Sequence, residues 1–448
     1  MKKIISALLA ASMILTMAGC GGDTSSASDS TNTSTAEANT SGTSSDSSEA
    51  PETSEPLSNP VALDEDGNID MAKALAYETD IEALKAALAA KEVDPNDTVS
   101  ANSNEKTTAV FEYLRSIYGK QILTCQQMMD SDSYEDIVYY NATGDMPAMK
   151  GFDFIFCTGS YINHEMIDEA IRWHDESGGL VTFTWHWNVP IDVDDPSKGY
   201  AFYQDEIQNW DQVNAVTPGT KEYEQVIHDI DTIAMHLQRL EEAGVTVMFR
   251  PLHEASGAWF WWGLQGKKSA ENEVFQKLWY MIFDRIENYH KLTNVIWIWN
   301  GQSQFCTVSA NTYDIAGVDY YASTEDHSAL NGQYKHLDGL SAEDEGKMLA
   351  LTECGYLPDP ADCVATDTMW LYYMIWNGDF VFEANASGKA KTSLDGTPSP
   401  NTERMTNEML VEHYAHEALI TYKDLPSKFT DGKGFPQRIK NWEYFKMD

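Results

Sequence analysis

Val245-Thr-Val-Met-Phe-Arg-Pro-Leu-His-Glu254 is a largely apolar run that closes on a histidine and a glutamate. It does not alternate polar with apolar residues, which is what a strand covered on both faces requires. Seven further runs of this kind flank it: 121–127 (QILTCQQ), 152–159 (FDFIFCTG), 179–187 (GLVTFTWHW), 294–301 (NVIWIWNG), 315–322 (IAGVDYYA), 348–356 (MLALTECGY) and 370–377 (WLYYMIWN). Helical patterns lie between several of them, as at 165–177, 222–243 and 271–291. Eight strands with intervening helices give the arithmetic of an α/β protein of the (β/α)8 type, a TIM barrel. An open, doubly wound sheet is the alternative. It fits less well, because no glycine-rich phosphate turn follows any of the runs.

A barrel of this kind carries its chemistry at the C-terminal ends of its strands. Polar and aromatic residues gather at those ends: Gln126 and Gln127, Trp185 to Asn188, His253 and Glu254, Asn300, Tyr320 and Tyr321, Glu353, and Trp376 with Asn377. Glu254 is followed by Trp259-Phe-Trp-Trp262. Aromatic faces stack on the C–H faces of sugar rings, so this cluster beside a carboxyl group points to a glycan cleft. A plug for the barrel rim explains one or two such rings, but four are more than a plug needs. Glu353 closes the seventh run. If Glu254 ends strand four and Glu353 strand seven, they face each other across the barrel mouth. A retaining glycosidase needs two carboxyls about 5–5.5 Å apart, one as nucleophile and one as acid and then base.

The first twenty residues, MKKIISALLAASMILTMAGC, have the layout of a signal peptide. The apolar stretch is too short to span a bilayer comfortably. Met17-Ala-Gly-Cys20 is similar to a bacterial lipobox, so Cys20 is the expected site of lipidation. An ordinary cleaved signal is the other reading. Residues 21–60 are mostly Ser, Thr, Asp, Glu, Ala and Asn, a linker with too little apolar surface to fold. Residues 61–103 read as a short helical extension with one helix around Ile81, Leu84 and Leu88. Residues 104–448 read as the catalytic barrel. The expectation is a monomeric cell-surface lipoprotein that touches the membrane only through its lipid.

The net charge of −40 repels nucleic acid and anionic membrane and is compatible with a neutral polysaccharide. Apart from Cys20, five cysteines remain, an odd number, and four sit in or just after strand-like runs as small hydrophobes. No cysteine or histidine spacing calls for zinc, and no metal or other cofactor is expected. His413 and His416, on a C-terminal helix, are expected at the surface.

From about residue 104 onward the chain resembles glycoside hydrolase family 26. The matching residues include Gly119-Lys-Gln-Ile-Leu123 with Gln126, Trp185-His186 with Asn188 and Pro190, and Pro251-Leu-His-Glu254 with Gly257 and Trp259 to Gly263. Trp297-Ile-Trp-Asn300, Gly317-Val-Asp-Tyr-Tyr321, Thr352-Glu353-Cys-Gly355 and Trp376 complete the set. The family consists mainly of endo-β-1,4-mannanases, and some members act on β-1,3-1,4-glucan or β-1,3-xylan. The resemblance implies Glu254 as acid/base and Glu353 as nucleophile. It implies that His253 hydrogen-bonds near the sugar 2-hydroxyl and the nucleophile. Tyr321 would donate to Glu353, while His186, Trp376 and Trp259 would border the sugar. Arg250 would lie beneath the carboxylates and, with Asn300, support them. Glu254 is then expected protonated among apolar neighbours, and Glu353 charged beside Arg250. Ala255-Ser256 stands where the family commonly has Met-Asn, two smaller side chains expected to alter a sugar subsite. A non-catalytic glycan-binding lipoprotein would not need both glutamates, and a solute-binding lipoprotein would show two lobes.

Overall fold

The computed structural model describes residues 59–129, 134–264, 268–341, 346–385, 390–392 and 397–440. The expected signal segment, Cys20 and the linker up to residue 58 lie outside them. Eight parallel strands close on themselves: β1 (Ile122–Gln127), β2 (Met149–Asp153), β3 (Leu180–Thr184), β4 (Val247–Arg250), β5 (Val295–Trp299), β6 (Ile315–Tyr320), β7 (Met348–Cys354) and β8 (Tyr372–Ile375). Each pairs with the next, and β8 returns to β1 with Leu123 level with Tyr372. A two-residue strand, Leu419–Ile420, adds a parallel pairing at the start of β1. Seven strands are buried throughout and the eighth, β6, up to its last residue, because side chains fill the barrel on one face and helices cover the other.

The second run is displaced in the structure. The strand covers 149–153 rather than 152–159, since the chain turns out of the sheet after Asp153, whose Oδ1 accepts the Ile155 N–H at 2.9 Å. The helix at Glu165–Ser177 matches its sequence pattern, with Met166, Ile167, Ala170 and Trp173 buried. Gly178 ends it at φ 72°, and a Cβ there would lie 2.3 Å from the Phe429 carbonyl oxygen, so only glycine fits. The pattern at 271–291 divides into an α-helix, Lys268–Asp284, and a π-helical turn, Arg285–Tyr289. That turn buries Arg285 and Glu287.

Both buried groups bind the N-terminal extension, which is more than a preface. It holds two helices, Met71–Ala74 and Ile81–Ala89. Arg285 pairs with Asp231 and donates to the Tyr77 and Ala74 carbonyls, while Glu287 accepts from Ser100 Oγ at 2.7 Å. The β5–β6 connection contains a single 3-10 turn, Ala310–Thr312, in place of an α-helix. Asn311 there donates to the carbonyls of Leu88 and Lys91, both at 3.1 Å, so the extension covers the wall that the connection leaves bare.

On β7 the register slips. Val318 is level with Leu351 but Asp319 with Glu353, which makes Thr352 an extra residue, and the pairing with β8 shifts at the same place. Such a bulge turns side chains that alternation would separate towards one side. Thr352 reaches Asp319, and Glu353 reaches Arg250. All five cysteines of the described residues are buried and free. His413 is buried as well, against expectation. Its Nε2 is 2.8 Å from the Tyr373 hydroxyl, because the helix Asn407–Tyr414 lays that face on the barrel.

Candidate active site

The site is assembled from the ends of strands β2 to β8. β4 stops at Arg250, and the chain then takes a strained path, with Leu252 at φ 54° and Glu254 at φ 52°. Non-glycine residues in this region carry a cost that surrounding structure must hold in place. Three bonds do so here: Asn300 Oδ1 accepts the Glu254 N–H at 3.2 Å, Trp262 Nε1 donates to the His253 carbonyl at 2.9 Å, and Leu264 N–H donates to the Ala255 carbonyl at 2.8 Å. The glutamate side chain is thereby set at the floor of the mouth, where Trp259 Nε1 donates to its Oε2 at 2.8 Å.

Opposite, Glu353 has a partner for each oxygen. Oε1 accepts from Arg250, and Oε2 accepts from the Tyr321 hydroxyl at 2.7 Å. Arg250 is shared: its other amino group donates to Asp319 Oδ2 at 2.6 Å. Asp319 also accepts from Asn300 at 2.9 Å and from Thr352 at 2.5 Å. One oxygen from each of Glu254, Asp319 and Glu353 lies within 4.8 Å of the others. A divalent cation can use three such donors, but Arg250, Tyr321 and Trp259 already occupy this set.

Three carboxylates around one guanidinium leave an excess of negative charge. Burial, followed by the charges of Asp319 and Glu353, holds Glu254 well above the usual carboxylate range. Glu353 differs from the sequence expectation. Arg250 does pull it down, but burial and Asp319 push harder and bring it to about 7. The order of the two is kept, with Glu254 the better proton holder. Asp319 is the group that sequence reading left without a role. It lies in the quoted Gly317-to-Tyr321 segment, but a carboxylate there cannot be told from any other rim acid until Arg250 is seen beside it.

The histidines form their own chain. His186 Nδ1 lies 2.5 Å from Asp153 Oδ2, and its Nε2 lies 3.3 Å from Nε2 of His253. His253 Nδ1 is 3.2 Å from the Thr184 hydroxyl. Both nitrogens of His253 are thus engaged away from Glu353, and the ring is buried, so the expected bond to the nucleophile is replaced by one to His186. His186 also packs edge-on against Trp376, with centroids 5.9 Å apart.

The aromatic cluster divides. Trp259 is partly exposed at the mouth, whereas Phe260, Trp261 and Trp262 are buried. Trp261 donates to the Trp187 carbonyl at 2.8 Å, and Phe260 stacks on Trp262 at 4.5 Å. The plug reading therefore holds for three of the four. Ala255 is also fully buried, which leaves Ser256 as the residue of that pair with exposed surface. Tyr203, unremarked in the sequence, reaches this loop from the β3 side. It bridges Phe260, and burial, then the charges of Glu254, Glu206 and Glu353, pushes its hydroxyl up.

Two carboxyls brought this close at the mouth of a closed parallel barrel form the arrangement that the class of retaining glycoside hydrolases uses. The family model described as glycosyl hydrolase family 26 matches residues 99–395, and the chain belongs to this family. It is 33% identical over 329 residues to mannan endo-1,4-beta-mannosidase A of Piromyces sp, covering 71% of this chain and 48% of that one. It is 35% identical over 291 residues to a mannan endo-1,4-beta-mannosidase of Thermothelomyces thermophilus, covering 63% and 57%. The chain spans about half the length of these curated relatives. Among solved structures it resembles the Podospora anserina GH26-CBM35 β-(1,4)-mannanase, with 29% identity, a TM-score of 0.63, and coverage of 76% and 71%. A ruminal GH26 endo-β-1,4-mannanase gives 25%, 0.64, 78% and 72%.

Proposed function

We propose that this chain is a retaining glycoside hydrolase that cleaves internal β-1,4-mannosidic linkages in mannan, glucomannan or galactomannan. The observation that carries the reading is the approach of Glu254 and Glu353 oxygens to within 4.8 Å, each carboxyl with a different set of partners. In the first step a Glu353 oxygen attacks the anomeric carbon as the glycosidic C–O bond breaks, and Glu254 gives its proton to the departing sugar oxygen. In the second, Glu254 takes a proton from water, whose oxygen attacks the same carbon and releases Glu353. Tyr321 and Arg250 hold the nucleophile, and Trp259, His186 and Trp376 border the sugar. Mannan as substrate is supported by the names of the relatives.

The domain organisation belongs to the proposal: a signal at 1–20 with lipid on Cys20, a linker at 21–60, the extension at 61–103, and the barrel at 104–448, displayed at the cell surface. The purified chain is tested on galactomannan, glucomannan, barley β-glucan and β-1,3-xylan, with proton NMR of fresh product. Release of oligosaccharides from the first two, with the β-anomer appearing first, is expected. Turnover of β-glucan or xylan alone overturns the substrate, and an initial α-anomer overturns the mechanism.

A further inference from the structure

Asp153 ends β2 with its side chain 1% exposed, and its two oxygens have different partners. Oδ1 accepts two backbone N–H groups, from Ile155 at 2.9 Å and from His186 at 3.0 Å. Oδ2 faces Nδ1 of His186 at 2.5 Å. A carboxylate can only accept, so this nitrogen carries a proton. Only one proton fits between the two Nε2 atoms of His186 and His253 at 3.3 Å. Burial first, and then the Arg250 charge, hold His253 well below the ordinary imidazole range, so it carries a single proton. At a pH where both rings are uncharged, the proton on His186 Nδ1 leaves its Nε2 bare. His253 must then donate from Nε2 and keep Nδ1 bare, and the Thr184 hydroxyl donates to that nitrogen across 3.2 Å.

We infer that Asp153 is a positioning residue whose carboxylate sets the tautomers of His186 and His253 when both rings are uncharged, so that every hydrogen bond in the chain then runs from Thr184 towards β2. The charged groups facing the pair are Asp153 from β2, Arg250 from β4 and Glu353 from β7. The rings of Phe202, Phe260, Trp262 and Trp376 also pack against the pair. His186 thus presents a lone pair rather than an N–H at Nε2, and that lone pair is filled by His253. For its kinetic consequence, though not for its proton positions, the inference rests on the glycosidase reading.

Asp153→Asn tests it with almost no change of shape. The two backbone donors hold the place of Oδ1, so the amide oxygen must sit there and the amide nitrogen must face His186. That group donates, and the chain reverses. The His186 proton moves to Nε2, the His253 proton moves to Nδ1, and Thr184 becomes an acceptor with the Arg250 carbonyl 3.4 Å away for its own proton. Nitrogen-15 NMR of the histidine-labelled full chain, at a pH where the rings are uncharged, reads each position. The wild type is expected to show N–H at Nδ1 of His186 and Nε2 of His253, with both exchanged in Asp153→Asn and neither in Thr184→Val. An Nδ1 proton on His253 in the wild type overturns the inference, and so does an unchanged pattern in Asp153→Asn. If that variant does not fold, the wild-type pattern alone decides. On mannan, kcat/KM of Asp153→Asn is expected to fall about 100-fold, less than the about 10⁴-fold found where the histidine itself transfers the proton. A wild type without turnover on any glycan sinks the hydrolase reading and leaves the tautomer result standing.

Discussion

Two glutamates share one barrel mouth but not one environment. Glu353 is held in a polar lattice, with Arg250 on one oxygen, Tyr321 on the other and Asp319 tied to the same arginine. Glu254 has one side-chain donor, Trp259, and otherwise faces the oxygens of Asp319 and Glu353 within 4.8 Å. Burial raises both. The lattice returns Glu353 to about 7, while Glu254 stays further up, with negative neighbours and little to offset them. The same residue type is thus made nucleophile-like on one side and acid-like on the other by its partners alone.

The strongest way to break this comparison is to remove each carboxyl in turn. Glu353→Ala is expected to lose on the order of 10⁴–10⁶ in kcat on every substrate, as deletion of a nucleophile does. Glu254→Ala should lose about 10²–10⁴ on polysaccharide, where the departing alkoxide needs a proton. An aryl glycoside with a good leaving group needs none, so the glycosyl-enzyme forms and waits. Azide attacks without a base and should restore turnover of that substrate by Glu254→Ala, giving a β-glycosyl azide. A β-azide from Glu353→Ala instead reverses the roles.

Tyr321→Phe sharpens the comparison from the nucleophile's side. A hydrogen bond to the charged form favours that form, so its loss raises the Glu353 pKa from about 7. The acid limb of kcat/KM should move to higher pH, with about 10-fold lower activity at neutral pH from the loss of one bond to a charged group. An acid limb that stays in place shows that Arg250 alone holds the charge.

A smaller effect is expected in stability. A carboxyl whose folded pKa lies above its ordinary value of 4.5 favours the folded state most below that value and loses the advantage as pH rises through the folded pKa. Glu254→Gln should therefore gain stability relative to wild type at pH 8, with Tm up by about 2–4 °C. The gain should vanish near pH 4. An equal gain at both values points to packing rather than charge.

Much of this was legible in the sequence. Continuous apolar runs ending in polar residues contained seven of the eight strands, while the run read for β2 is displaced several residues beyond it. The Glu254 and Glu353 segments were readable because each ends such a run. What stayed hidden depends on partners distant along the chain. Asp153 and Asp319 look like any strand-end acid until His186 and Arg250 stand beside them. The burial of Phe260 to Trp262 likewise follows from the 200–204 loop and Trp187, which local pattern does not connect. The missing β5–β6 helix could not be foreseen, because its substitute lies more than 200 residues earlier.

The extra residue on β7 acts as a change of phase within one strand. Up to Leu351 the side chains keep one parity, inward and outward by turns, and from Glu353 the count begins again. Glu353 therefore owes its aim to an interruption and not to its distance from the strand's start. Deleting Thr352 would remove the interruption together with the hydroxyl that reaches Asp319, and would leave the glutamate directly after Leu351, level with Asp319 and on the same face. A graft of this strand between relatives must take the interruption along, since a regular strand of the same composition would deliver the glutamate to the wrong face of the sheet.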